Sequence, residues 1–234
     1  AHLLVLAEDA GGVQQIAAGG SHSLALKSDG TVMAWGGNDS GQVGDGSLAK
    51  RTTPVSVGGL TNVTAISAGG SHSLARKSDG TVLAWGSNID GRIGDGTTTL
   101  RPSPTAVSGL SGATAVSAGV YHSVALKSDG SVAAWGFNGQ GQLGDGSQSS
   151  RQTPGQITSF SGVASIYSGD SFTLALKSDG TLWSWGRNDQ GQLGIGSTES
   201  KSVPTLITSI SGVIGVSAGV RNALAVLNDG RVWS

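Results

Sequence analysis

The chain has 234 residues, 37% of them apolar and 12% charged, with 40 glycines, no cysteine and a formal net charge of -1. That apolar fraction can build a core and argues against disorder, while the glycines demand frequent turns. The balanced charge excludes a nucleic-acid or anionic-membrane binder, and the missing cysteines exclude a disulfide framework and thiolate-held metal. No run approaches the roughly 20 apolar residues of a membrane span, and Leu3 to Ala7 is too short and lacks the basic lead of a signal peptide, so no membrane insertion is expected. Low charge with abundant Gly, Ser and Thr leans towards an extracellular or cell-surface module and leaves the compartment otherwise open.

A self-repeat of 50 residues organises everything else. Gly19, Gly69, Gly119, Gly169 and Gly219 begin equivalent loops without an insertion or deletion between them. Ala25-Leu26-Lys27-Ser28-Asp29-Gly30 recurs almost letter for letter at 75–80, 125–130 and 175–180, and more loosely at 225–230. The chain therefore reads as one repeat domain over 1–234, with units at 13–62, 63–112, 113–162, 163–212 and a truncated 213–234; residues 1–12 read as the tail of a preceding unit.

Each unit reads as four short strands, because apolar residues alternate over runs of five or six bounded by glycine-rich turns, and helical spacing appears nowhere. In the second unit the strands are expected at Val63 to Ala68, His72 to Lys77, Thr81 to Trp85 and Pro104 to Val107. Ser78-Asp79-Gly80 between the second and third is a hairpin turn in which Gly supplies a positive φ and Asp braces the backbone. By the period, Leu4-Val5 is the counterpart of Pro54-Val55. Four-stranded units that cannot bury both faces alone must stack, and radial stacking of antiparallel units gives an all-β propeller. Trp35, Trp85, Trp135 and Trp185 recur once per unit; each can bury on the order of 200 Å² between sheets, about 5 kcal/mol of gross transfer energy.

The recurring string Ser-Ala-Gly-x-x-His-Ser-x-Ala-Leu, then Asp-Gly-x-Val-x-x-Trp-Gly-x-Asn-x-x-Gly-Gln-Leu-Gly-Asp-Gly, then Arg-x-x-Pro resembles the regulator of chromosome condensation repeat, from about residue 13 to 234. A kelch propeller has a comparable period but lacks the Gly-Gln-Leu-Gly loop found at 141–144 and 191–194. The resemblance implies a seven-bladed ring. Seven units of this length exceed the chain, so the expectation is a fragment of such a ring, with a five-bladed ring closed by the first residues as the alternative.

The motifs with possible chemistry have structural readings. His22, His72 and His122 recur once per unit and could be pictured as a ring of metal ligands, yet the fourth and fifth units carry Phe172 and Asn222, and His22 shares a strand face with Leu24 and Leu26, which favours packing. Asp45, Asp95 and Asp145, each before a glycine, read as turn braces, because Ile195 stands in the fourth unit and no alternating acidic series supplies the oxygens calcium needs. No nucleophile-base pair and no phosphate loop is present, so no metal, cofactor or enzymatic activity is expected.

Positions filled differently in each unit are not fixed by the shared packing. Strand direction places two such loops, the turn at 19–21 and the segment after Trp-Gly, on one face. From the units they contribute Val120, Tyr121, Asp170 and Arg221, and then Phe137 and Arg187, with Ile89 and Asp90 close behind. Aromatic and arginine side chains on rigidly held loops have the composition of a protein-binding hot spot, so a non-catalytic interaction scaffold with one protein partner is expected, anchored at Tyr121 and Phe137. The resemblance also implies alternatives: nucleotide exchange on a small GTPase, for which strict spacing leaves no room for the inserted hairpin of the name-giving member, and an architectural or adhesive repeat of a larger surface protein. Light sensing as in the plant UV-B photoreceptor is set aside, since Gly-Gly-Ser-His-Ser and Gly-Val-Tyr-His-Ser stand where it has a tryptophan-bearing motif.

Overall fold

The computed structural model describes residues 12–234. The expected tail at 1–12 and the strand counterpart at Leu4-Val5 fall, Gly12 apart, outside the described residues. Five antiparallel sheets succeed one another, each with its strands hydrogen-bonded in chain order. The first holds β1 (Val13–Ala18), β2 (His22–Lys27), β3 (Val32–Gly36) and β4 (Arg51–Ser56). The second holds β5 (Val63–Ala68), β6 (His72–Lys77), β7 (Val82–Gly86) and β8 (Arg101–Ala106). The third holds β9 (Ala113–Ala118), β10 (His122–Lys127), β11 (Val132–Gly136) and β12 (Arg151–Gln156), and the fourth β13 (Val163–Ser168), β14 (Phe172–Lys177), β15 (Leu182–Gly186) and β16 (Lys201–Leu206). The fifth holds β17 (Val213–Ala218), β18 (Ala223–Leu227) and β19 (Val232–Trp233). The fold is an all-β propeller; among the described residues it has five blades, the last of three strands.

The first two strands of the second unit lie where alternation puts them, and the hairpin after β6 has Gly80 at φ 79° with the Thr81 amide donating to Asp79 Oδ1 at 2.9 Å. The fourth strand differs from expectation: it runs over Arg101–Ala106 instead of starting at Pro104. The reason is a bulge. Ala84 pairs with Thr105, but past a register shift Gly86 pairs with Arg101, so the strand keeps contact while bending. Pro102 and Pro104 are tolerated because β8 is the outer edge of its sheet, where a missing N–H leaves no ladder bond broken.

The core lies between sheets. Leu24, Leu26, Val32, Ala34 and Val43 of the first sheet pack on Val63, Ile66, Ala75 and Trp85 of the second, and the same seam recurs between second and third, third and fourth, and fourth and fifth. Trp85, Trp135 and Trp185 are fully buried in these seams, whereas Trp35 of the first sheet is half-buried. At the first three seams the earlier blade thus gives an aliphatic face and the later one a tryptophan.

A polar link is embedded in the seams. His22 Nε2 lies 2.9 Å from Ser73 Oγ, His72 from Ser123 Oγ, and His122 from Thr173 Oγ1, each reaching the next blade. The hydroxyls donate their one hydrogen to the carbonyls of Gln42, Arg92 and Gln142. The histidines must therefore donate, which fixes the Nε2–H tautomer. Their Nδ1 atoms are buried without a partner, so protonation has nowhere to place its hydrogen. Burial accordingly pushes His22 down to about 4 and His122 down to about 3, and His72 falls well below its ordinary value. The fourth blade has Phe172 in the histidine position and the fifth has Ala223 in the hydroxyl position: donor and acceptor change together.

Candidate protein-binding face

The two variable loops of each of the first four blades are tied to each other by backbone hydrogen bonds: the Gly37 amide donates to the Ser21 carbonyl at 2.7 Å, Ser87 to Ser71 at 2.8 Å, Phe137 to Tyr121 at 3.0 Å and Arg187 to Ser171 at 2.8 Å. Neighbouring blades are stitched along the same rim, with Gly20 donating to Gly69, Gly70 to Gly119 and Val120 to Asp170 at 3.1 to 3.2 Å. The face is thus a continuous surface on a rigid base.

Its centre is where the second and third blades meet. The Tyr121 and Phe137 rings stand edge to face, centroids 6.0 Å apart and planes at 71°. Phe137 is half-buried, lying against Gly139, where a Cβ would come within 2.5 Å of the ring. Tyr121 stays 41% exposed. Beneath it runs Arg92, 5% exposed, its guanidinium carbon 5.3 Å from the tyrosine centroid. Arg92 Nη2 donates to Asp90 Oδ2 at 2.9 Å and Nη1 to the Val120 carbonyl at 3.2 Å. Burial lowers the Arg92 pKa and the Asp90 carboxylate opposes that shift, so the guanidinium remains charged.

Val120, Tyr121, Phe137 and Asp90 are therefore gathered around Arg92. That residue was invisible to strand-face reasoning, although it breaks the pattern Gln42, Gln142, Gln192 and could have been found by it. A second group sits on the fourth blade: Arg187 makes two hydrogen bonds to Asp189, at 2.8 and 2.6 Å, with Asp170 Oδ2 3.6 Å from Nη1. The bonds to Asp189 raise the Arg187 pKa and lower that of Asp189. Ile89 projects into solvent at 74% exposure beside Asp90. Arg221 joins neither group and instead borders a cavity between the fourth and fifth blades. The face has exposed aromatic surface, and its Arg92 and Arg187 are neutralised by neighbouring carboxylates.

The remaining expected sites are structural in placement. Asp45 and Asp95 accept from the amides and hydroxyls of Ser47 and Thr97 and pair with Arg51 and Arg101 on the outer strands. Among the described residues no group of three or more histidines or acids is placed to hold a metal ion.

A family model described as the RCC1-like domain matches residues 3–234. The chain belongs to the RCC1-like domain family. Human WBSCR16 superposes with a TM-score of 0.86 at 27% identity over 94% of this chain and 59% of its own. Yeast RCC1 (Prp20), in a structure with Kap60 bound, superposes with a TM-score of 0.84 at 26% identity over 95% of this chain and 55% of its own. RUG3, a mitochondrial RCC1 domain-containing protein of Arabidopsis thaliana, is 42% identical over 50 residues, one repeat, which is 21% of this chain and 11% of RUG3. The chain thus spans little more than half the length of these solved relatives and a small part of the curated one. Among the described residues no helix is long and apolar enough to cross a membrane. The compositional lean towards an extracellular module finds no support in these relatives, one of which is mitochondrial.

Proposed function

We propose that the chain is a non-catalytic scaffold that holds a protein partner on the face built around Arg92, Tyr121 and Phe137. The observation that carries this reading is the edge-to-face aromatic pair, part-exposed and backed by a buried arginine, on loops hydrogen-bonded to each other and to the neighbouring blade. Such rigid aromatic anchors lose little entropy on binding and are the usual centre of a hot spot. Asp170 and Arg187 flank it, and Ile89 extends its apolar surface. The structure of the relative Prp20 with Kap60 bound supports a protein-binding role for this family. The first four blades keep uniform strand lengths with no inserted hairpin, which favours a scaffold over nucleotide exchange.

We further infer that the five blades are an arc of a larger ring, seven-bladed as the repeat implies. Support comes from Trp35, half-buried where its three counterparts are sealed, and from Ile16, 76% exposed on β1. The seams among the described residues run from the first blade to the fifth without returning.

The test of the binding face is affinity capture from the source cells with immobilised wild-type chain, Tyr121→Ala and Phe137→Ala. A partner held by the wild type should weaken by at least about 1 kcal/mol, roughly fivefold, in each variant. Equal retention by all three chains refutes the assignment of this face.

A further inference from the structure

On the face opposite Tyr121 and Phe137, at the far ends of β2, β6, β10 and β14, the repeat places one lysine before each Ser-Asp-Gly hairpin: Lys27, Lys77, Lys127 and Lys177. Lys77 Nζ lies 3.6 Å from Asp79 Oδ2, and Lys127 Nζ lies 3.8 Å from Asp129 Oδ2. Lys177 departs from this arrangement. Its Nζ stands 4.6 Å from the centre of the Phe160 ring and 4.9 Å from that of Trp183, and it makes no ion pair with Asp179.

The departure follows from the neighbours. By the period, the positions of Phe160 and Trp183 are filled by Leu60 and Leu83 for Lys77, and by Leu110 and Ala133 for Lys127. Aliphatic residues leave the ammonium to its aspartate, whereas two π faces compete for it. Phe160 is buried and meets Trp183 edge to face, centroids 5.5 Å apart, and Trp185 likewise at 5.6 Å, so that wall of the notch is fixed. Trp183 is oriented by its own Nε1, which donates to Thr181 Oγ1 at 3.0 Å, while the Thr181 hydroxyl donates to Asp179 Oδ1 at 2.6 Å. Asp179 Oδ2, the oxygen whose counterparts face Lys77 and Lys127, has no partner among the described residues. Lys177 therefore has two seats within reach, the notch and that oxygen. Both Lys177 and Trp183 are half-buried, so the notch opens to solvent.

We propose that the notch between Phe160 and Trp183 binds a quaternary ammonium group, which enters as Lys177 swings to Asp179 Oδ2. A primary ammonium is strongly hydrated and gives up water to sit between the rings; a trimethylammonium spreads its charge over an apolar, weakly hydrated surface that suits two π faces. The exchange keeps a cation in the notch and adds an ion pair at Asp179. The ammonium can belong to a free amine such as choline or to a methylated lysine of a protein, and its chemistry at the rings is the same for both.

The experiment titrates the 234-residue chain with choline and follows the Trp183 indole N–H and the Thr181 amide by NMR. Saturable shifts of both are expected. The uncharged alcohol in which carbon replaces the choline nitrogen should bind at least about tenfold more weakly, because it lacks the cation. Lys177→Gln removes the internal competitor and should tighten choline binding at least about threefold. Trp183→Leu, which installs the residue of the second blade, should abolish the shift of the Thr181 amide. A peptide bearing trimethyllysine reads the source: binding at least about tenfold tighter than choline assigns the ligand to a protein, and binding no tighter assigns it to a free amine, each upholding the site. Absence of saturable shifts in the wild type with choline taken to about 100 mM overturns the proposal. Equal affinity for the uncharged alcohol does so too, and neither result needs a variant to fold. Unchanged choline affinity in Lys177→Gln overturns the displacement of the lysine.

Discussion

The link between His122 and Thr173 should behave as a unit. Both side chains are fully buried, and the tautomer is set by the Thr173 hydroxyl's own donation to Gln142. Thr173→Val keeps the shape and leaves the His122 Nε2–H buried without an acceptor, which costs about 1 to 3 kcal/mol. The Gln142 carbonyl does not add to this, because it keeps the Trp185 indole. The double variant His122→Phe/Thr173→Val imitates the apolar pair Phe172/Ala223 already present one seam on, and the glycine at 119 leaves an aromatic ring the room that Gly169 leaves Phe172. It should recover most of the loss, giving a coupling of about 1 to 2 kcal/mol in a double-mutant cycle. Urea unfolding of the wild type, both single variants and the double measures it. Costs that add within about 0.5 kcal/mol would show the two side chains are independent and refute the link.

Acid should unfold the protein through its histidines. His22 titrates at about 4 and His122 at about 3 in the folded chain, against 6.5 when unfolded, so below 6.5 the unfolded chain binds more protons and stability falls with falling pH. By pH 4 each contributes a loss of about 3 kcal/mol, with Arg92 adding to the depression of His72 and His122; thermal melts from neutral to acid pH should drop steeply, and the His122→Phe/Thr173→Val variant should drop less. Trp135→Ala should cost about 3 to 5 kcal/mol, and Trp35→Ala, on the half-buried counterpart, clearly less in the same unfolding assay. Gly80→Ala should cost about 1 to 2 kcal/mol from its left-handed φ and more than Gly230→Ala, because a Cβ at 80 comes within 3.2 Å of Gly112 and Ala113 while one at 230 meets nothing.

What the sequence revealed and what it hid follow from range. The period, the hairpin turns and β5 and β6 depend on neighbours within a few residues, so alternation and Ser78-Asp79-Gly80 were enough. The fourth strand was misplaced because its start at Arg101 is decided by a bulge opposite Gly86, a contact across the sheet that no local pattern records. The histidine link was read only as packing, because its partner is 51 residues away on another blade. Only the paired exchange of His for Phe172 and of Ser or Thr for Ala223 betrays it. Arg221 was grouped with the aromatic anchors because it shares their loop position, yet the second and fourth blades hold their charges locally and leave it beside the cavity.

Arg92 is where the proposed binding face meets the constraints of the repeat. At positions 42, 92 and 142 the seam uses the backbone: the carbonyl accepts the indole N–H and the hydroxyl of the following blade. The side chain there is not needed by the seam, so glutamine and arginine serve equally, and the arginine is available to support Tyr121 from below. Arg92→Gln restores the residue of the other units but gives up the bonds to Asp90 and the Val120 carbonyl, so it should cost about 1 to 2 kcal/mol and leave the blades assembled. Partner capture should nonetheless weaken, because Tyr121 loses the cation beneath its ring and Asp90 its counter-ion. The two readouts separate the roles. A large loss of stability would mean that the seam depends on the arginine side chain, and unchanged capture would mean that the aromatic pair does not depend on it.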